Sequence, residues 1–280
     1  MNQLVSLIIT TKNEEKSLNR LLQSIEKQTH KSREVILVDN NSLDNTVEIA
    51  RRTGLRIYNC GPERSSQRNL GANKAKGKYL LFLDADMKLT KGVVEECIDM
   101  VVKDKRLGGI VIPELSIATN FWEKVKAFER SFYNEKGDII SDAARFFPKK
   151  VFEKIGGYDE TITGPEDWDI TDRIYSSGYI IGRAKSKIYH YERISSLTSL
   201  MKKKFYYGLD AHKYLRKHNM SIINSKTIYF LRPIFYRNFM KIMIHPILSL
   251  GMFIMLLFEL LFGGAGYFVG RIKNCEGFAD

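Results

Sequence analysis

Short apolar runs alternate with amphipathic stretches over the first 110 residues, and this alternation restricts the fold more than any other feature of the chain. Four apolar runs predict β-strands, at Leu4–Thr10, Glu34–Val38, Leu55–Tyr58 and Tyr79–Leu83. Helical patterns lie between them, at Lys16–Lys27, Asp44–Arg52 and Ser66–Lys76. Such a β-α-β series predicts an α/β fold with a mostly parallel, buried sheet flanked by helices.

The pattern becomes mixed between Gly108 and Tyr191. Strands are predicted at Ile110–Ile112, Arg145–Phe147 and Lys187–His190, with a helix across Phe121–Tyr133. We expect this second, irregular half to contribute pocket walls.

Polar and acidic residues follow three of the predicted strands, as Thr10–Glu14, Asp39–Ser42 and Asp84–Asp86. Ligands of open α/β sheets bind beyond the carboxyl ends of the strands, so these residues are candidates for a site. No G-x-G-x-x-G turn follows these strands, which argues against a dinucleotide enzyme. A Walker A sequence is absent too.

Asp84 and Asp86 follow the most apolar strand and can be interpreted in two ways. Asp is a common turn residue after a strand. Alternatively, the two carboxylates bind Mg²⁺ or Mn²⁺, which prefer carboxylate and phosphate oxygens and would neutralise a diphosphate leaving group.

The segment Gly164–Asp169 also has two interpretations. Proline and acidic residues are typical of the first turn of a helix. Alternatively, a carboxylate here is the general base that takes a proton from an acceptor hydroxyl, with Trp168 as a wall against a sugar ring and Glu166 at the acceptor.

The sequence allows two interpretations for each of two further residues. His190, at a predicted strand end, is either a hydrogen-bonded structural residue or a neutral imidazole that completes a metal site. Arg68 is either a solvated helix charge or a clamp on a diphosphate.

Six segments, taken together, resemble glycosyltransferase family 2, whose members are inverting enzymes of the GT-A fold. In chain order they are Val5–Glu14, Val38–Ser42, Arg68–Gly77, Phe82–Asp86, Gly156–Tyr158 and Glu166–Trp168. The resemblance covers roughly Val5 to Gly208. It implies a nucleotide-diphospho-sugar donor.

The resemblance also implies roles for residues of the donor site. Thr10, Glu14 and Asp39 would hold the base and ribose, while Arg68 and Asp84 would support the nucleotide and diphosphate.

Further implied roles concern the metal and the base. Asp86 would bind the divalent cation, His190 would complete that site, and Asp167 would be the catalytic base. The chain departs from many relatives at Ile9–Lys12, where they carry a proline and an aromatic residue, so the nucleotide base is not specified.

The charge of the chain is concentrated after the predicted catalytic part. The formal net charge is +12, and residues 201–241 hold ten Lys or Arg against the single acid Asp210. Aromatic residues are interleaved with these cations, a mixture that suits either nucleic acid or a membrane interface. The apolar stretch Ile242–Val269 follows directly, with Glu259 as its only formal charge, which favours the membrane over nucleic acid.

The same charges predict on which side of the membrane the catalytic domain lies. Ten basic residues precede the apolar stretch and only Arg271 and Lys273 follow it, so the catalytic domain is predicted on the cytoplasmic side of the cell membrane. Three widely spaced cysteines indicate a reducing compartment, and the N-terminus has no leader-like pattern. We prefer one membrane span; a helical hairpin in a dimer interface or on the surface is the alternative.

The sequence thus predicts a catalytic domain (1–195), a basic aromatic interfacial region (196–241), a membrane segment (242–269) and a tail (270–280). The expected reaction moves a sugar to a hydroxyl of a lipid-linked or membrane glycan acceptor. Lys202, Lys203 and Lys204 either recognise a charged acceptor or form a solvated or lipid-facing surface. The alternatives are a polyprenyl-phosphate monosaccharide synthase and a non-catalytic basic membrane adaptor.

Overall fold

The computed structural model describes residues 3–134, 137–138 and 142–276, with side chains described up to residue 273. The strands are β1 Val5–Thr11, β2 Arg33–Asp39, β3 Arg56–Asn59, β4 Tyr79–Asp84, β5 Met87–Leu89, β6 Leu107–Val111, β7 Glu114–Ile117, β8 Ala144–Pro148, β9 Ile180–Arg183 and β10 Ile188–Tyr191. The helices are α1 Leu18–Glu26, α2 Thr46–Arg52, α3 Arg64–Lys74, α4 Val93–Lys103, α5 Phe121–Asn134, α6 Lys149–Lys154, α7 Glu166–Ser176, α8 Leu197–Lys217, α9 Pro233–Arg237, α10 Phe239–Ile244 and α11 Pro246–Glu276. The side chain of Cys275 and residues 277–280 of the predicted tail lie outside the described residues.

Seven strands form the main sheet, in the order β3-β2-β1-β4-β8-β6-β9. The strands β3, β2, β1 and β4 are parallel, and β8 runs antiparallel to both β4 and β6. A second sheet has the order β5-β10-β7. The predicted α/β class with a mostly parallel, helix-flanked sheet is confirmed.

The centre of the sheet is apolar on both faces. All seven residues of β1 are buried, as expected for a parallel strand covered by helices on both sides. Gly77 is required by close packing, because a Cβ there would lie 2.6 Å from the backbone nitrogen of Ser6. Gly71 similarly leaves room for the side chain of Ile8.

Most predicted elements are confirmed within a few residues, and α3 is shifted. We predicted this helix from Ser66, whereas it begins at Arg64 and ends at Lys74. Ala75 has an extended backbone, which ends the helix before Lys76.

The chain divides into two compact units. The first contains residues 1–115, 143–160 and 166–191, and the second contains 116–142, 161–165 and 192–280. The second unit is helical, and α11 packs there against α5 and α8. The predicted apolar segment Ile242–Val269 is divided between two helices, because α10 ends at Ile244 and α11 begins at Pro246. The helical backbone is interrupted at His245. From Pro246 onward α11 continues without interruption through Gly263 and Gly264.

Candidate active site

The register of the parallel strands brings the predicted donor residues to one sheet edge. Thr11 is paired with Asp39 and Thr10 with Asp84. The Thr11 hydroxyl donates to Asp39 Oδ1 over 2.8 Å, and the Thr10 hydroxyl donates to Asp84 Oδ1 over 3.4 Å. Strand pairing alone therefore places both carboxylates at the carboxyl ends of β2 and β4, the two strands that flank β1.

Asp39 is buried and its carboxylate orders the loop that follows β2. The backbone N–H and the hydroxyl of Ser42 donate to it over 2.7 and 2.6 Å. Glu14 is also buried, and its carboxylate accepts from the Ser17 hydroxyl. Asp39, the last residue of β2, and Glu14, in the loop after β1, thus both accept hydrogen bonds from nearby serine hydroxyls.

Arg68 is at the centre of the candidate site, with only 1% of its surface exposed. Its Nη1 donates to Asp167 Oδ1 over 3.0 Å, and its Nη2 lies 3.6 Å from Asp84 Oδ1. The guanidinium also lies over the ring of Tyr158, 4.9 Å from the centroid. Arg68 is therefore a buried ionic link and not a solvated helix charge.

The motif Gly156–Tyr158 positions that ring. Asn69 holds Tyr158 through both of its backbone polar groups, at 2.8 and 2.9 Å. Gly157 has φ +68° and faces the Asn69 side chain, so a residue with a Cβ would be strained and crowded. Burial raises the pKa of the Tyr158 hydroxyl, which keeps it neutral beside Arg68.

Asp84 is surrounded by arginines. Burial opposes its ionisation, but Arg64, Arg145 and Arg68 outweigh that effect and hold the pKa of Asp84 well below its ordinary value. Arg145 Nη1 lies 3.4 Å from Asp84 Oδ2. Asp84 therefore stays ionised at neutral pH and pairs with the three arginines around it.

Glu114, which our sequence analysis missed, bridges Arg145 and His190. Its Oε1 lies 2.6 Å from Arg145 Nη2, and its Oε2 lies 2.9 Å from His190 Nδ1. The sequence carries no signal for Glu114, which begins a short edge strand. Arg145 had a usable signal, since it is a charge within the otherwise apolar strand β8.

Asp86 and His190 are brought together, with His190 Nε2 3.5 Å from Asp86 Oδ2. Because the Glu114 carboxylate accepts a hydrogen bond, it places the proton of a neutral imidazole on Nδ1. Nε2 then presents its lone pair towards Asp86, and a carboxylate and an imidazole nitrogen so arranged suit a divalent cation. Within the described ranges no group of three or more His, Cys, Asp or Glu is arranged to hold a metal.

Glu166 and Asp167 begin α7 side by side but differ in exposure. Glu166 is buried, and its pKa is raised to about 7 by burial and by the neighbouring Asp167 charge. Asp167 keeps a quarter of its side chain exposed, which allows contact with a ligand. Trp168 is partly buried on the same turn.

Lys202, Lys203 and Lys204 lie on α8 in the second unit. Lys202 and Lys203 are exposed, whereas the Lys204 ammonium lies 2.9 Å from Glu259 of α11. The charge of Lys204 is therefore engaged within the protein, and acceptor recognition by Lys202, Lys203 and Lys204 stays a prediction.

Comparison with known families decides the assignment of the fold. The model described as glycosyl transferase family 2 matches residues 6–156, which is more than half of the chain. The chain belongs to glycosyltransferase family 2. A second model, described as the N-terminal domain of galactosyltransferase, matches residues 129–197.

Curated relatives of this family 2 member are also glycosyltransferases. A 4,4'-diaponeurosporenoate glycosyltransferase of Staphylococcus haemolyticus is 37% identical over 95 residues, which are 31% of this chain and 25% of the relative. A PGL/p-HBAD biosynthesis glycosyltransferase of Mycobacterium bovis is 28% identical over 64% of this chain and 72% of the relative. The chain thus spans a quarter of the first relative's length and nearly three quarters of the second's.

Solved structures show the GT-A fold. S. aureus TarS in complex with UDP-GlcNAc is matched with a TM-score of 0.56 and 16% identity, over 98% of this chain and 92% of that chain. A mannosyltransferase from Pyrobaculum calidifontis in complex with GDP-Man and Mn²⁺ has a TM-score of 0.56 and 17% identity, over 94% and 73%. Family and relatives together support glycosyl transfer from a nucleotide-sugar donor.

Proposed function

We propose that this glycosyltransferase inverts the donor's anomeric configuration and moves its sugar to a hydroxyl of a lipid-linked or membrane glycan acceptor. One observation carries the proposal, a connected series of ionic contacts between the predicted base and the predicted metal ligands. The series runs Asp167, Arg68, Asp84, Arg145, Glu114, His190, Asp86. Acidic residues that served only to begin a helix or to form a turn would not need to be linked in one continuous series of ionic contacts.

Asp167 is assigned as the general base. Arg68 holds its Oδ1, so we assign proton acceptance from the acceptor hydroxyl to Oδ2. Because the pKa of Glu166 is raised, its ion pair with Arg68 is weakened, and Asp167 and Asp84 are the main ionic partners of Arg68. The acceptor would be lined by Glu166 and Trp168, and the base and ribose of the donor by Thr10, Glu14 and Asp39.

The donor set fits a divalent cation such as Mg²⁺ or Mn²⁺, which would neutralise charge that develops on the departing diphosphate. Asp86 and His190 would hold the ion, and Glu114 would keep the imidazole in the required tautomer. Because two protein ligands are few for such an ion, we expect diphosphate oxygens to complete its coordination. Asp84 keeps Arg68 and Arg145 beside this site.

Action at the cytoplasmic face of the cell membrane is supported by two features. The helix Pro246–Lys273 is long and apolar enough to cross a membrane. The preceding stretch 201–241 carries a large basic excess, which suits an anionic lipid surface and not a neutral one. The functional division into catalytic, interfacial and membrane parts stays a prediction.

The test is a panel of nucleotide-diphosphate sugars, with and without Mn²⁺ or Mg²⁺, assayed on hydroxyl and polyprenyl-phosphate acceptors. We expect Asp167→Asn to lose most transfer to a hydroxyl, whereas Asp99→Asn, a matched change of an exposed acid on α4, retains it. A phosphate nucleophile is already ionised, so full activity of Asp167→Asn would favour polyprenyl phosphate instead. Absence of donor hydrolysis and transfer across the whole panel would favour a non-catalytic adaptor.

A further inference from the structure

The apolar helix α11 is docked along α8 through glycines. A Cβ at Gly266 would lie 2.1 Å from the Phe205 carbonyl oxygen, and one at Gly208 would lie 2.3 Å from the Gly263 carbonyl oxygen. At Gly270 the corresponding distance to the Leu209 carbonyl oxygen is 1.9 Å. Backbones this close require residues without side chains, so the contact between α8 and α11 is specific.

Glu259 adds an ionic contact at the midpoint of the same helix. It is 3% exposed, with Lys126 of α5 at 3.1 Å and Lys204 of α8 at 2.9 Å. The candidate membrane-crossing stretch runs from Pro246 to Lys273. Glu259 is therefore at its centre, and two other helices neutralise it.

The opposite face of α11 is apolar and exposed along its whole length. Six of its large side chains are between 48% and 73% exposed: Ile247, Leu250, Leu257, Leu261, Phe268 and Ile272. Arg237 precedes this face, Arg271 and Lys273 flank its last residue, Ile272, and all three cations are exposed. An apolar strip with cations at its ends matches an anionic lipid surface.

A helix that crossed the bilayer in this docked state would carry α8 with it. Since Lys204 contacts Glu259 at the centre, the exposed Lys202 and Lys203 would lie close to the bilayer midplane, where each lysine is strongly disfavoured. If α11 left α8 and α5 to cross alone, Glu259 would enter hydrocarbon without its lysines. Neither arrangement is compatible with the contacts of this unit.

We propose that α11 does not cross the membrane but lies in the plane of one anionic leaflet, with its exposed apolar face in the lipid and α5 and α8 on the water side. This inference rests on the proposed action at a membrane. It replaces the single span of our sequence analysis with an in-plane anchor. The exposed Lys202 and Lys203 of α8 then remain in water, where they can meet lipid or acceptor phosphates.

Depth measurements distinguish the two orientations. Leu250 and Leu261 are eleven residues apart, about 16 Å along a helix. Nitroxide labels at Leu250→Cys and Leu261→Cys, with Cys60, Cys97 and Cys275 replaced by alanine, are read by electron paramagnetic resonance in phosphatidylcholine vesicles with 30% phosphatidylglycerol. An in-plane helix gives both labels the same shallow depth, whereas a crossing helix places Leu261 near the midplane and overturns the proposal.

Binding measurements test the lipid itself. We expect Leu250→Asp/Leu261→Asp to lose at least tenfold in partitioning to these vesicles, while Val102→Asp, an exposed apolar position on α4, partitions like the unsubstituted chain. If the nitroxide labels show no contact with lipid and the chain dimerises, a second copy of the chain covers the apolar face. If binding to vesicles of pure phosphatidylcholine is equally strong, anionic lipid is not required. Either result overturns the proposal.

Donor-nucleotide affinity and donor hydrolysis are measured without vesicles on the same preparations. Their loss with both labels still shallow would overturn the proposed function and leave the in-plane anchor standing. Retained donor hydrolysis with a deep Leu261 label would do the reverse.

Discussion

The raised pKa of Glu166 makes a quantitative prediction about stability. In the unfolded chain this carboxyl titrates near 4.5, whereas in the folded protein burial and the Asp167 charge raise the pKa to about 7. Between these values the folded state keeps a proton that the unfolded state has released, so stability falls as pH rises from about 4.5 to 7. At about 1.36 kcal/mol per pKa unit, the loss approaches about 3 kcal/mol.

Glu166→Gln preserves the size of the side chain and removes its titration. We expect the variant to become more stable relative to the unsubstituted protein as pH rises from 5 to 8, by about 2.5 kcal/mol in total. For a chain of this size that corresponds to a relative gain in Tm of roughly 4–6 °C. The measurement is thermal unfolding by circular dichroism at intervals across this range, without metal or nucleotide.

Other titrating groups act on both proteins, so the informative quantity is the difference between their unfolding temperatures. Glu153→Gln, a matched change of an exposed carboxyl on α6, controls for the general effect of replacing one carboxylate by an amide. A difference for Glu166→Gln that stays constant from pH 5 to 8 would refute the reasoning, because it would mean that Glu166 is ionised in the folded state at both ends of the range.

Three further outcomes are expected. Asp167→Asn should lower kcat for a hydroxyl acceptor about 10²- to 10⁴-fold, with the dissociation constant of the donor nucleotide unchanged by calorimetry. Glu114→Gln should weaken Mn²⁺ affinity, measured by calorimetry with nucleotide diphosphate present, about 10- to 100-fold because His190 loses its carboxylate partner; unchanged affinity would contradict that role. Gly266→Ala should cost about 1–3 kcal/mol of unfolding free energy. Gly264→Ala, with open space around its Cβ, should instead be neutral or stabilising by up to about 1 kcal/mol, and equal effects would contradict the tight seam.

The parallel part of the fold could be predicted because its strands and helices repeat with different periods. The carboxyl-end residues Thr10, Asp39 and Asp84 were predicted to meet on that basis, and strand pairing brings them to one edge. The donor, metal and base roles carried by the resemblance remain proposals; what the structure adds is that Arg68 contacts Asp167 and that His190 lies beside Asp86.

The positioning residues could not be predicted, because their role depends on tertiary contacts. Glu114 lies 76 residues before His190 in the chain and contacts it through a single hydrogen bond. Tyr158 supports Arg68 from a loop whose geometry is set by Asn69 and Gly157. No local pattern of charge or hydropathy records such contacts.

The apolar C-terminal stretch shows why composition alone cannot decide how a helix meets a membrane. From the sequence alone, an apolar run of some 28 residues with a single acid predicts a membrane span. While the contacts of that acid are unknown, the free-energy cost of moving its one charge into lipid counts as small. In the folded unit Glu259 is fixed to Lys126 and Lys204, so it cannot be transferred into lipid without either breaking two ion pairs or carrying two more helices along. The spacing of Gly263, Gly266 and Gly270 was visible in the sequence, but its partner surface on α8 was not. The deciding quantity is therefore the charge of the whole docked unit, and it favours an anchor that lies on the membrane over a helix that crosses it.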